Sequence, residues 1–259
     1  MQTQRVGKTD LKVSQIGLGT VKFGRTEGLK YPDPFTLPTD KELKNLLALA
    51  KDLGINLLDT APAYGASEDR LGKLLHLHRH DWVISTKVGE EFVDGKSQFD
   101  FSKQRMQLSV ERSLKRLRTD YLDVVLVHSN GDDQSLIEEE HVFHTLQELK
   151  QAGKLRAFGM STKTLSGGLL SVQMADVVMV SFNPVYDQER EVIQSAHQHQ
   201  KGIFVKKALA SGHLDKIKSA NPVLNSLQFV FSEPGVSSAI VGTINPLHLR
   251  QLVETLADI

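Results

Sequence analysis

Cysteine is absent from the 259 residues, which removes disulfides, thiolate nucleophiles and cysteine-ligated zinc from consideration. Net charge is absent too. Lysine and arginine number 31 and so do aspartate and glutamate, so bulk electrostatics give no pull towards nucleic acid or an anionic membrane. No stripe of basic and aromatic residues marks a nucleic-acid surface. No uninterrupted apolar run approaches the roughly 20 residues of a membrane span, and the start "MQTQRVGKTDLKVS" lacks the apolar stretch of a signal peptide. These absences lead to the expectation of a soluble cytoplasmic protein with neither a membrane nor a nucleic-acid partner; nothing in the sequence names a protein partner. What is present, 40% hydrophobic residues over this length, is enough to bury a core without crosslinks.

Short β-rich runs alternate with longer amphipathic ones. The strand candidates are "SQIGLGT", "INLLDT", "DWVISTK", "YLDVVLVHS", "LRAFGMS", "DVVMVSF", "GIFVKKA" and "VSSAIVG". Most are continuous apolar runs, as expected for parallel strands buried on both faces. Helices are expected over 39–53, 67–77, 102–118, 136–152, 163–171, 188–200, 221–231 and 246–257, several opened by a capping Ser, Thr, Asp or Asn. Eight strand-helix units predict a (β/α)8 TIM barrel, with "RVGKTDLKVS" left over as a short N-terminal hairpin. A doubly wound sheet is the weaker alternative, because the first strand is followed by a loop and by no GxGxxG fingerprint. No linker or composition break divides the chain, so one domain over residues 1–259 is expected.

In such a barrel, the ends of the strands share one mouth. Asp59 ends the second strand, Tyr64 lies in the loop beyond it, Lys87 ends the third strand and His128 the fourth. Asp59 is expected to pair with Lys87, which limits the cost of burying either charge. A cation near Tyr64 would favour the phenolate and make the hydroxyl a stronger acid, able to protonate a carbonyl oxygen as hydride reaches carbon. His128 could hydrogen-bond the same oxygen. Each residue has an ordinary alternative: a turn cap for Asp59, a packed loop aromatic for Tyr64, a surface or Schiff-base lysine for Lys87, a histidine bonded to its own loop for His128. Their joint placement on consecutive strand ends is what favours a site.

"GLGTVKFG", "NLLDTAPAYGASEDRLGKLL", "VISTKVG", "YLDVVLVHS", "LRAFGMS" and "VGTINPLHLRQLVE" resemble, in order and spacing, the aldo-keto reductase family. The resemblance implies a TIM barrel that reduces an aldehyde or ketone substrate with NADPH, or with NADH as the alternative, and without a metal. Its catalytic aspartate, tyrosine, lysine and histidine would fall on Asp59, Tyr64, Lys87 and His128. Its cofactor contacts would fall on Gly19, Thr20 and Ser161 around the nicotinamide; on backbone amides of Leu209, Ser211 and Gly212 along the pyrophosphate; and on Gly242, Thr243, Asn245 and His248 towards the adenosine.

Departures from the family pattern are as informative. Met179 stands where an amide residue is common, and Thr162 where Asn is common. Gly242 and His248, with Arg250 nearby, stand where basic residues often meet the 2′-phosphate of NADP. Lys206, followed by Lys207, replaces an aromatic residue that stacks on the nicotinamide; strand alternation points one of the two inward, and Lys206 is expected to face the cofactor. The connections are short for the family, so an open pocket walled by Phe23, Tyr31 and Phe92 is expected, with broad acceptance of aldehydes or dicarbonyls. Two other functions remain open on the sequence alone: a nucleotide-binding regulatory subunit with residual activity, as in the potassium-channel β-subunits, and a Schiff-base lyase using Lys87.

Overall fold

The computed structural model describes residues 1–139 and 141–259. Eight parallel strands close into a barrel: β3 (Ile16–Gly19), β4 (Leu57–Asp59), β5 (Val83–Val88), β8 (Leu122–His128), β9 (Leu155–Ser161), β10 (Val177–Ser181), β11 (Gly202–Lys206) and β12 (Val236–Val241), the last pairing back onto the first. These are the eight expected runs. The hairpin of β1 (Thr3–Arg5) and β2 (Lys12–Ser14) lies at the N-terminal end. Its Val6, Leu11 and Val13 join Leu57, Val83, Val124, Ala157, Val177 and Phe204 in the barrel's apolar interior.

Helices α1 (Asp40–Asp52), α2 (Ser67–Leu75), α3 (Lys103–Leu117), α6 (Leu165–Met174), α7 (Arg190–Gln198), α8 (Pro222–Phe231) and α9 (Pro246–Ala257) lie where the sequence puts them. Their starts carry the anticipated chemistry. Thr39 and Glu42 form a reciprocal capping box on α1, and Asn221 and Asn245 cap α8 and α9. The helix expected over 136–152 is instead two, α4 (Asp133–Glu138) and α5 (His141–Gln151); residue 140 of that expectation lies outside the described residues. A second antiparallel hairpin, β6 (Glu90–Val93) and β7 (Lys96–Phe99), rises beyond β5 and was not expected. No helix among the described residues is long and apolar enough to cross a membrane.

The inward rows of the strands explain where chemistry can occur. Side chains alternate faces along a strand, and the interior rows run from apolar at the hairpin end to polar at the other: Leu57 then Asp59, Val83 then Lys87 four residues on, Leu126 then His128, Phe204 then Lys206. One end of the barrel is plugged; the other is lined with charge.

Candidate active site

Lys87 and Asp59 are buried, 1% and 3% exposed, and the lysine Nζ lies 2.9 and 2.8 Å from the two carboxylate oxygens. A third donor direction reaches the Thr60 carbonyl at 2.9 Å. Burial is the largest single influence on Lys87 and would lower its pKa, but the charge and hydrogen bonds of Asp59, together with Tyr64, outweigh it and the shift is upward. The lysine therefore stays cationic. With its donors directed at Asp59 and Thr60, it acts on Tyr64 mainly by charge, with a weaker hydrogen-bond contribution beside it, its Nζ 4.8 Å from the ring centre.

Tyr64 is set by a tight turn. The 3₁₀ turn Pro62–Tyr64 ends at Gly65, whose φ is 61° and whose site would place a Cβ 2.2 Å from the Gly24 carbonyl oxygen, so only glycine lets the two loops meet. The expected lowering of the Tyr64 pKa is not found. Burial pushes it up, and Lys87, whose charge is already matched by Asp59, offsets only part of that rise; the Asp59 and Glu90 charges add to it. The proton stays on Tyr64 well through neutral pH.

His128 stands beside Tyr64, ring centres 6.4 Å apart and nearly perpendicular. Its Nδ1 is 2.6 Å from Glu90 Oε2, but off the N–H axis, so it is a close polar contact and not an aligned hydrogen bond. Burial lowers the imidazole pKa despite Glu90, with Lys87 and Lys206 adding to the fall. Glu90 itself is lowered to about 2: burial opposes ionisation, but contact with His128, Ser97 and the Arg25 charge prevail. The two shifts agree on the neutral range: near pH 7 Glu90 is ionised and His128 neutral.

These groups open on a cavity of about 740 Å³ that also takes in Gly19, Thr20, Ser161, Met179 and Lys206. A second cavity of about 460 Å³ holds Leu209, Ser211, Gly212, Gly242, Thr243 and His248. Tyr31, Lys207, Ser211, Ile240 and Gly242 border both, so the two form one groove across the barrel mouth. Lys206 faces in, its Nζ 2.8 Å from Ser161 Oγ and 2.6 Å from the Thr162 carbonyl. Lys207, with φ 57°, also reaches the groove, so alternation did not exclude it.

Several expectations need correction. Asn245 does not border either cavity; its side chain accepts the Leu247 amide as the α9 cap. The Gly212 amide is taken by the Leu209 carbonyl at 2.8 Å. Phe23 is fully buried, because the 3₁₀ turn Val21–Phe23 rolls it into the core. Phe92 is covered by Arg25, whose guanidinium carbon lies 3.3 Å from its ring centre, so a charged group stands at the cavity where an apolar wall was expected. Tyr31 does line the groove. Glu90 and Arg25 were missed; the acidic pair in "KVGEEF" just past the lysine strand was the available signal.

The sequence model of the aldo/keto reductase family matches residues 15–226. The chain belongs to the aldo/keto reductase family. The Pseudomonas aeruginosa protein PA4992, provisionally described as an aldo-keto reductase, has a solved structure that is 52% identical, covers 99% of this chain and 94% of its own, and superposes with a TM-score of 0.90. The oxidoreductase YqkF of Bacillus subtilis, itself uncharacterised, is 27% identical over 98% of this chain and 90% of its own length. L-galactose dehydrogenase of Arabidopsis thaliana is 36% identical over 62% of this chain and 48% of the plant enzyme. As an aldo/keto reductase, the chain is an NAD(P)H-dependent oxidoreductase acting on small carbonyl compounds. The regulatory and lyase alternatives are not favoured, and a Schiff-base lysine would need the neutral amine that Asp59 denies Lys87.

Proposed function

We propose that the chain reduces an aldehyde or ketone to its alcohol, with Tyr64 as the proton donor, Lys87 and Asp59 as the charged pair behind it and His128 as the group that orients the carbonyl. The observation that carries this reading is the convergence of Tyr64, Lys87 and His128 on one cavity that continues as a groove to Thr243 and His248.

The groove fits an extended nicotinamide dinucleotide. A Cβ at Gly242 would sit 2.6 Å from the Tyr31 hydroxyl, so the glycine lets Tyr31 pack against the backbone where the two cavities meet. Lys207, Ala210 and Ser211 hold positive φ in one short stretch, a strained conformation of the kind kept at ligand loops. Bound there, the nucleotide would supply the hydride. Gly19, Thr20, Ser161 and Met179 would surround the nicotinamide, and Lys22, Lys207 and Ser211 would serve the phosphates.

The protein's own part is the proton and the alignment. Tyr64 holds a proton at neutral pH and gives it to the carbonyl oxygen as negative charge develops there; Lys87 stabilises the phenolate left behind. The Nδ1 of His128 makes no aligned hydrogen bond to Glu90, so the neutral imidazole is free to carry its proton on Nε2 and donate it to the carbonyl oxygen, orienting it towards Tyr64. Because the phenol pKa is raised, reduction is expected to persist into alkaline pH, and alcohol oxidation, which needs the phenolate, to rise with pH.

We take NADPH as the nucleotide, with NADH able to replace it. On the adenosine side, His248 borders the cavity, whereas Arg250 is exposed and borders neither. One exposed imidazole in place of a guanidinium is worth up to about 1 kcal/mol, a preference below tenfold. Titrating the purified protein with NADPH and NADH, then screening aldehydes and ketones for nucleotide oxidation, tests the whole reading; binding of neither nucleotide would remove it.

A further inference from the structure

Arg25 has the bearing of a substrate-binding group. It borders the catalytic cavity beside the Tyr64 turn, its Nη1 donating to the Ala63 carbonyl at 3.2 Å and its Nε to the Glu27 carbonyl at 2.8 Å. The guanidinium carbon also lies over the Phe92 ring, 3.3 Å from its centre. This cation–π contact and two backbone bonds hold it without using a carboxylate. Among the described residues, no acidic oxygen lies within 4 Å of it, and Nη2 has no hydrogen-bond acceptor in the protein.

The surroundings agree. Seven basic side chains border this cavity against two carboxylates, Asp59 and Glu90. Both carboxylates are engaged, Asp59 by Lys87 and Glu90 by His128 and by Ser97, whose hydroxyl donates to Oε1 at 2.5 Å; the Glu90 and Glu27 carboxylates act on Arg25 by charge, but neither comes within 4 Å of its guanidinium. Lys206 and Lys207 belong to the nucleotide side of the groove, bordered by Ser161 and Ser211. Arg25 is on the other side, with Tyr64 and the β6–β7 hairpin, where a carbonyl compound must sit to reach the phenol. A held guanidinium with a free edge is the arrangement that takes a carboxylate through paired N–H groups.

We infer that this enzyme's substrates are short carbonyl compounds carrying a carboxylate, held by Arg25 while the carbonyl lies at Tyr64. The inference rests on the reductase reading. It replaces the broad apolar acceptance expected from the sequence with selection for negative charge.

The test compares 4-oxobutanoate with butanal, a pair differing in the terminal carboxylate. In the parent enzyme, kcat/KM should favour 4-oxobutanoate by roughly tenfold or more, the scale of a hydrogen bond to a charged group, and the difference should lie in KM and shrink with added salt. Arg25→Met should bring the ratio towards one, and Arg25→Lys should leave it in between, because charge remains but the fork is lost. Succinate should inhibit the parent competitively and the Arg25→Met variant weakly. An aldehyde phosphate preferred over 4-oxobutanoate would overturn the carboxylate assignment. Equal turnover of the charged and neutral aldehydes by the parent would overturn the inference and leave the reductase reading standing, and this result does not depend on any variant folding. Nucleotide bound with no carbonyl turned over would overturn both.

Discussion

Two lysines end strands on the same barrel mouth, and their surroundings have made them different groups. Lys87, at the end of β5, touches both oxygens of Asp59, and its pKa is raised in spite of burial. Lys206, at the end of β11, touches a hydroxyl and a backbone carbonyl, and burial, with Lys207 beside it and Glu189 opposing, lowers its pKa to about 8. The nearby Glu189 is occupied with the Ser181 amide and the Thr162 hydroxyl. A carboxylate in direct contact fixes a buried cation; neutral oxygens only hold it in place, ready for a charge brought from outside. In the proposed mechanism, one lysine belongs with Tyr64 and the other is a natural partner for an incoming phosphate or ribose.

The sharpest way to break this contrast is to remove each ammonium. Lys87→Met should cut carbonyl reduction by about 10²–10⁴-fold through Tyr64, and should cost about 3–5 kcal/mol of stability because Asp59 is left buried and unpaired. Denaturant unfolding checks the second part, and adding Asp59→Asn to Lys87→Met should recover some of that loss. Lys206→Met should instead leave stability within about 1 kcal/mol, since lost hydrogen bonds are offset by relief of burial, and should weaken nucleotide binding with a reduced dependence on salt.

A finer difference is in pH. As pH rises through about 8, Lys206 loses its proton, so nucleotide affinity should fall between pH 7 and 9 in the parent and fall less in Lys206→Met, where the lowered pKa values of Lys22 and Lys207 leave a smaller step; Lys87 contributes no such step, because its pKa lies above its ordinary value. Fluorescence titration at the two pH values reads this directly. The smallest expected effect is at Glu90, which holds the His128 pKa up against burial. Glu90→Gln should lower that pKa further, visible in a histidine NMR titration, with nucleotide binding little changed.

Much of this was legible in the chain because the barrel repeats one rule. Each buried strand is a continuous apolar run that ends at the mouth, so Asp59, Lys87 and His128 could be placed as strand ends and Lys206 by alternation, while Ser161 was legible only through the family resemblance. What was not legible lay in loops. The β6–β7 hairpin had a signal, Asp94 and Gly95 with φ of 50° and 76°, the pair favoured in a tight hairpin turn, but its strands are mostly exposed and carry no apolar run. Arg25 meets Phe92 only because two distant loops fold over the same mouth, and nothing in either stretch announces the other. The Tyr64 pKa was misjudged for a different reason: the charge of Lys87 was counted without that of Asp59, and burial was not counted at all.

The central claim is that Tyr64 supplies the proton and does not hold the nucleotide. Measuring nucleotide affinity and carbonyl turnover side by side in the parent and in Tyr64→Phe tests it most directly. The account predicts a dissociation constant within about twofold of the parent's and turnover lower by about 10²–10⁴-fold; equal turnover of the best aldehyde by the two proteins would contradict it.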